Sequence, residues 1–349
     1  MLNFLFKKRF LGIDVGTYSI KVIELSSFGG RIKLENFGEI PAKAVFKKPF
    51  RTFEKNTLSL ALKDIVRATK AVFEEAGIKA KKVFFSIPDF ATFFTTFELP
   101  PMTKEEIPSA VEIEARRHVP VPLSEVAFDW QILNKMPKKG EKIKILLVAV
   151  PLEVVNQYKA FANSLKLKLI SLEAEVFSLA RVFGQEGKVV AIFDLGTRST
   201  TCSIVEGKTL YTSFSLDIGG DFFSERIAKG LGIEIEKGEK LKKEVGLSEE
   251  SKVREILIPI LNSIVHEGEK IFQNYERKRN RKIEKIILAG GNANLPGLAE
   301  YFKIQFKKEV EIGNPFKKIF YPPILEKTLK EMGPSFAVAT GLALRGFEK

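Results

Sequence analysis

The chain has 349 residues, 45% of them hydrophobic and 28% charged, the balance of a globular protein long enough for two cores. One cysteine, Cys202, excludes an internal disulfide framework, and with only two histidines it argues against a structural zinc site; the longest apolar run, Ile145 to Pro151, is too short to span a bilayer. The net charge of +13 leaves three readings open, a lysine-rich solvated surface, a place beside anionic lipid, or nucleic acid, and no nucleic-acid motif accompanies it.

The N-terminal stretch Met1 to Arg9 carries its charges after its apolar residues, the reverse of a secretory signal. Residues 10–25 read as strand, tight turn, strand. Gly16 lets the backbone turn sharply and approach a ligand without a Cβ in the way. Successive N–H groups in such a turn form a concavity for phosphate oxygens. Thr17, Tyr18 and Ser19 add hydroxyl donors and Lys21 a positive charge, while Asp14 ends the first strand where a carboxylate can hold a hydrated Mg²⁺. A strand over 31–37, a helix over 55–77 closed by Gly77, and a strand from Lys81 to Ile87 stopped by Pro88 follow. The order β-β-β-α-β is the opening of one half of an actin-like ATPase domain.

Residues 90–165 have their own rhythm and predict a small α+β insert. A strand at 91–97 places Phe93 and Phe97 on one face and Phe94 on the other. Thr103 and Glu106 form a capping box that opens a helix to about His118. Pro108 lies one step past its first turn, where it should cost a hydrogen bond. Strands at 125–133 and 142–150 follow, separated by a turn at 138–142, then a helix near 152–165 and a strand at 167–173. Phe128 and Trp130 share one strand face, Asp129 and Gln131 the other. Aromatics on both sheet faces allow two readings: packing on the insert's helices and the main body, or a groove beside the first domain that takes an extended apolar peptide.

A helix over 173–183 leads into residues 189–205, where the first pattern returns: Asp14-x-Gly16-Thr17-x-Ser19 recurs as Asp194-x-Gly196-Thr197-x-Ser199, again between strands. Such a repeat predicts two like domains whose phosphate hairpins face each other, with Asp194 a second carboxylate for Mg²⁺ through water. Strands continue to about 216. Gly219 and Gly220 then precede a helix starting near Asp221, whose positive end would face the cleft. Residues 221–283 are helical and highly charged, 285–289 form a strand, and Gly290, Gly291 and Asn292 offer bare backbone to an adenine or ribose before a helix over 296–307. The last helix, 334–343, is built of small residues that suit close packing onto the first domain. These four elements stand in the order of an actin/Hsp70-type nucleotide cleft.

The segments Leu11–Leu25, Phe97–Thr103, Glu114–Pro122, Leu288–Asn292 and Ser335–Ala343 resemble the PilM family of type IV pilus assembly proteins and, more distantly, the division protein FtsA. The resemblance implies an α/β fold, the duplicated ribonuclease-H-like actin fold with an FtsA/PilM-type α+β insert subdomain. It divides the chain into 1–89 with 166–188 and 334–349, the insert 90–165, then 189–222 with 284–333, and a helical subdomain 223–283. By the same resemblance Glu239, Lys242 and Lys243 bracket the nucleoside, although a solvated charged helix face reads equally well. Glu175 falls where actin-like ATPases place a carboxylate facing the attacking water; its alternative is a helix-start glutamate on the dipole. The implied ligands are ATP and Mg²⁺, with hydrolysis slow if it occurs. The implied partner is the N-terminal cytoplasmic peptide of PilN, with links to PilO through PilN, the assembly ATPase and the platform protein, at the cytoplasmic face of the inner membrane and without nucleic acid. Two rivals are an FtsA-like membrane tether, disfavoured because the sequence stops soon after the packed helix, and a sugar-kinase-type phosphotransferase, for which no catalytic motif is found.

Overall fold

The computed structural model describes residues 8–46, 48–54, 57–133, 140–248 and 251–348. Strands β1 (Lys8–Val15), β2 (Ser19–Phe28) and β3 (Arg31–Pro41) pair antiparallel. A one-turn helix α1 (Ala42–Val45) leads to a ribbon of β4 (Arg51–Glu54) and β5 (Thr57–Leu60), then to α2 (Leu62–Glu75) and to β6 (Lys82–Ile87), which lies parallel to β1. The chain then leaves this sheet as β7 (Phe93–Leu99), α3 (Ile107–His118), β8 (Val126–Ile132), β9 (Ile143–Pro151) and α4 (Leu152–Ser164). It returns as β10 (Lys168–Ala174), parallel to β6, so the first sheet has the order β10-β6-β1-β2-β3. Helix α5 (Glu175–Phe183) crosses to β11 (Val189–Leu195), β12 (Thr200–Glu206) and β13 (Thr209–Leu216). Three helices follow, α6 (Gly220–Leu231), α7 (Ile235–Glu244) and α8 (Lys252–Arg279), and then β14 (Lys285–Ala289), α9 (Leu298–Phe306), β15 (Glu309–Ile312), α10 (Glu326–Met332) and α11 (Ala337–Arg345). The second sheet has the order β13-β12-β11-β14-β15.

Each five-stranded sheet is therefore laid down the same way. Three antiparallel strands come first, and two further strands then join parallel to the first of them. The central strands are covered on both faces and so read as continuous apolar runs rather than alternating ones. Phe193 of β11 packs against Phe272, Phe302 and Phe306 from α8 and α9. Its neighbours Val190 and Ile192 point the other way, into a cluster with Phe84, Val176, Leu179 and Leu342. That cluster joins the two sheets, with α5 and α11 between them. Backbone meets backbone there: a Cβ on Gly12 would lie 1.9 Å from the Ala339 carbonyl oxygen, and one on Gly341 would lie 2.3 Å from that of Ser178. The small residues of α11 are what permit this approach.

The insert sheet has the order β7-β9-β8, with β8 at its edge. Phe97, Ile145 and Leu147 bury against Val111 and Ala115 of α3, with Phe93, Phe128 and Trp130 on the same side. Phe94 turns to the opposite face and meets Phe177 of α5 at 6.1 Å between ring centroids.

Several sequence expectations change. The helix expected from residue 55 starts at Leu62, because Thr57–Leu60 alternates buried and open positions and pairs with β4. Pro108 costs no hydrogen bond, since α3 begins at Ile107 and its first turn has no intrahelical acceptor to lose. The capping contact still forms, Thr103 N and Oγ1 donating to Glu106 Oε2 at 2.7 and 3.0 Å, but ahead of the helix rather than on it. Glu173 and Ala174 belong to β10, not to α5. Residues 1–7, residues 55 and 56 of the expected helix, and Lys138 and Lys139 of the expected turn lie outside the described residues.

Candidate functional site

The two repeated motifs fold into matching turns. In the first, Asp14 pairs with Lys21 and Val15 with Ile20, and Gly16 N donates to Ser19 O at 2.8 Å. In the second, Asp194 pairs with Thr201 and Leu195 with Thr200, and Gly196 N donates to Ser199 O at 3.0 Å. A Cβ on Gly16 or Gly196 would sit 2.9 or 3.0 Å from the serine carbonyl that closes its turn, so the turn geometry itself demands glycine. Both turns line one cleft between the sheets, Asp14, Thr17, Tyr18, Ser19 and Lys21 on one side and Asp194, Thr197 and Ser199 on the other. Ser86 Oγ donates to Asp14 Oδ1 at 2.8 Å, and Lys21 Nζ donates to Ser19 Oγ at 2.8 Å.

Gly220, Glu239, Lys242, Lys243, Gly290, Gly291, Asn292 and Glu175 line the same cleft; Gly219 does not. A Cβ on Gly219 would meet Thr197 O at 2.5 Å, so this glycine lets α6 approach the second turn. Gly220 N and Asp221 N donate to the carbonyls of Gly196 and Thr197 at 3.0 and 2.9 Å. These two helix-start donors are thus spent on the turn, while the start of α6, Gly220 and Asp221, lines the cleft as expected. Gly290, at φ +85°, would drive a Cβ to within 2.5 Å of Asp194 Oδ1, so it too serves packing, whereas Gly291 faces open space. Asn292 Nδ2 donates to the carbonyls of Leu195 and Gly196 at 3.2 and 2.9 Å and fastens its loop to the second turn.

On α7, Glu239 accepts from Ser224 Oγ at 2.5 Å and from Lys242 and Lys243 at 2.6 and 2.9 Å. Lys242 is buried and also donates to Gly220 O at 3.0 Å. Burial pulls the Lys242 ammonium down, against the pull of Glu239. Glu239 is held down at about 2, its ammonium and hydroxyl donors outweighing its own desolvation. The pair is a built feature of the cleft wall rather than a freely solvated helix face.

A sequence model of the type IV pilus assembly protein PilM family matches residues 12–347. This chain belongs to that family. A solved PilM-PilN type IV pilus biogenesis complex superposes with a TM-score of 0.84 at 24% identity, over 97% of this chain and 98% of the other. The cell division protein FtsA of Streptococcus pneumoniae serotype 2 is 21% identical over 88% of this chain and 75% of its own length. MreB5 of Spiroplasma citri, solved bound to AMPPNP, superposes with a TM-score of 0.53 at 14% identity, over 98% of this chain and 96% of the other. The fold is the actin-like one, and the chain is a type IV pilus assembly protein of the PilM type. Among the described residues no helix is long and apolar enough to cross a membrane.

Two residues that sequence reasoning missed stand near Glu175: Arg51 in the cleft wall and the buried Asp89. Glu175, at the start of α5, accepts from Arg51 Nη1 at 3.1 Å. Asp89, just past the end of β6, accepts from Val176 N at 3.3 Å. Burial, and then Glu175 and Asp14, push Asp194 up to about 7. Burial also raises Glu175, against the pull of Arg51, and it raises Asp89 further because Glu175 and Asp194 lie near. Asp14, Glu175 and Asp194 line the cleft while Asp89 is buried close to Glu175, and among the described residues no group of three or more His, Cys, Asp or Glu side chains is placed to hold a metal ion directly. Two facing aspartates suit Mg²⁺, which keeps waters and shares its shell with phosphates. Asp89 had a legible signal, since β6 runs parallel to β1 and the ends of parallel strands gather ligand-binding residues. Arg51 had none, because its ribbon was read as loop and helix.

Proposed function

We propose that this PilM-family protein binds Mg²⁺-ATP between its two sheets and docks the N-terminal cytoplasmic tail of PilN beside its insert, at the cytoplasmic face of the inner membrane. The observation that carries the nucleotide half is the pair of like turns, each with its aspartate, facing one cleft. The binding of AMPPNP by MreB5 of Spiroplasma citri, on the same fold, supports it. In this reading the N–H groups of the turn residues after Gly16 and Gly196, whose own N–H groups close the turns, cradle the phosphates, and Asp14 and Asp194 would hold Mg²⁺ through water. Lys21 adds positive charge, and Glu239, Lys242, Lys243 and the open side of Gly291 bracket the nucleoside. The cation supplies charge neutralisation to the phosphate chain. Glu175 orients a water, and hydrolysis is slow and serves switching. The halves that close on the nucleotide are 1–89 with 166–188 and 334–349, and 189–222 with 284–333.

The cleft encloses about 230 Å³, below the roughly 300–1,000 Å³ of common small-molecule sites. In this reading the two halves part as a nucleotide enters and so couple ligand to domain angle.

The docking half rests on a second depression, about 680 Å³, between the insert's edge strand β8 and the first sheet's edge strand β10. Leu146, Val148, Leu169, Ile170 and Phe177 line it, with Lys159 and Arg345 among the polar groups. Ile170 is 42% exposed. Two edge strands offer unpaired backbone groups to an extended peptide, and the apolar side chains offer anchors. The solved PilM-PilN complex supports PilN as the partner; PilO through PilN, the assembly ATPase and the platform protein are the further neighbours that the family resemblance implies. A synthetic PilN tail from the same organism should bind by calorimetry and change the emission of Trp130, the sole tryptophan, which lines the groove. Ile170→Asp should weaken that binding about tenfold or more. Unchanged affinity in a folded Ile170→Asp variant would place the peptide elsewhere.

A further inference from the structure

Among the described residues, two buried polar atoms left without a hydrogen-bond partner, Arg51 Nε and Asp89 Oδ2, fall in one neighbourhood beside the buried Tyr158, whose hydroxyl lies close to Arg51. The three residues are 9%, 6% and 0% exposed. Burying an unpaired donor or acceptor is costly, so neighbouring ones mark a place where a polar group is accommodated. Arg51 is the member that reaches the cleft, whose walls it shares with Phe90, Glu175 and both hairpin turns.

The position of Arg51 is built rather than incidental. Phe50 N donates to Thr17 O at 2.8 Å, which fixes the start of the β4–β5 ribbon to the first hairpin turn. The guanidinium lies 5.3 Å over the Phe90 ring, which holds its plane. One of its nitrogens is used on Glu175, and Nε is not used. A guanidinium carries five N–H donors in a planar fork that matches phosphoryl oxygens two at a time. In the proposed reading the nucleoside lies against α7 and the Gly290–Asn292 loop, which with the second turn belong to the second-sheet wall of the cleft; Arg51 and Glu175 belong with the first turn to the facing, first-sheet wall.

On the reading that the cleft takes a nucleotide, we infer that Arg51 forms a subsite for the terminal phosphate of a nucleoside triphosphate and gives the protein its preference for tri- over diphosphate. Without a third phosphate, the guanidinium stays on Glu175. With one, its unused edge turns to the terminal phosphoryl oxygens, and Glu175 is left free to meet water. A purely structural Arg51–Glu175 pair predicts instead that loss of Arg51 weakens both nucleotides alike.

Calorimetric titration of the full chain with Mg²⁺-ATP and, separately, Mg²⁺-ADP decides between them. Wild type should bind ATP more tightly than ADP. Arg51→Met should lose about tenfold or more in ATP affinity, the scale of a charge-assisted hydrogen bond, and hold ADP affinity within about twofold of wild type. Arg51→Lys, which keeps charge without the fork, should restore part of the preference. An equal loss for both nucleotides, or an unchanged ATP-to-ADP ratio, would overturn the subsite. Should Arg51→Met fail to fold, Arg51→Lys carries the test alone: a reduced ratio supports the subsite and an unchanged one overturns it. A wild type that binds neither nucleotide would show, before any variant is made, that the nucleotide reading itself is wrong.

Discussion

At the scale of single residues the cleft is set by charges that cannot reach water. Glu239 illustrates what this means for stability. Its carboxyl titrates at about 2 in the fold against an ordinary 4.5. A depressed folded value contributes stability that is fully present above the unfolded value and is lost as pH falls through the folded one. Since the side chain is 31% exposed, we discount the full linkage and expect on the order of 1–2 kcal/mol. Glu239→Gln should therefore melt below wild type at pH 7, with the gap closing between about pH 4.5 and pH 2. A gap that stays constant over that range would mean that the carboxylate is not specially stabilised. Glu175 gives the complementary test: Glu175→Gln should slow any ATP turnover while leaving ATP affinity nearly unchanged, and turnover equal to wild type would remove its role. Asp14, Asp194 and the two turn glycines were legible because the motif occurs twice. Arg51 was not, because its meaning comes from burial beside Glu175, which is 124 residues away in the chain; Asp89 had a signal, its place at the end of a strand parallel to β1, that went unread.

Between elements, the decisive contacts are those of α5 and α11 with the strands beneath them. Glu173, buried at the end of β10, accepts from Ser178 Oγ at 2.7 Å and from Arg181 at 2.6 and 2.8 Å, and it pairs with Arg345 of α11. Arg181 also donates to Gly341 O at 3.2 Å. Removal of one partner from such a buried set leaves uncompensated charge, and Glu173→Gln should lower stability by about 3 kcal/mol or more in denaturant unfolding. Gly341→Ala should cost on the order of 1–3 kcal/mol through the Ser178 carbonyl. Loss of less than about 0.5 kcal/mol in either variant would contradict this packing. The sequence patterns located most strands and helices, and the small residues of α11 announced its close approach. They misread 57–60, because Leu58 continues the helical spacing of Ala61, Leu62 and Ile65, and only its pairing with β4 makes it a strand. β15 was missed for a similar reason: four residues with two glutamates, Glu309–Ile312, have little apolar pattern to read.

Over the whole molecule, the duplicated sheet order makes two halves of one design, with α5 and α11 packed between them, facing one cleft. That duplication was visible in the sequence as a repeated turn. A groove beside the first domain was one of two readings of the insert's aromatics; that a depression lies between edge strands β8 and β10 was not legible, since they meet only through the return of the chain from the insert. Parting of the halves to admit a ligand, and their closure on it, would make the native state bind what the unfolded chain cannot, so that ligand raises stability by mass action. At about 100 times the dissociation constant the gain is about 2.7 kcal/mol. Thermal melting of the full chain with and without Mg²⁺-ATP is the most direct measurement of this claim. The account predicts a rise of several degrees that requires Mg²⁺ and is reduced or abolished in Asp194→Ala; a folded wild type whose melting is unmoved by saturating Mg²⁺-ATP would contradict it.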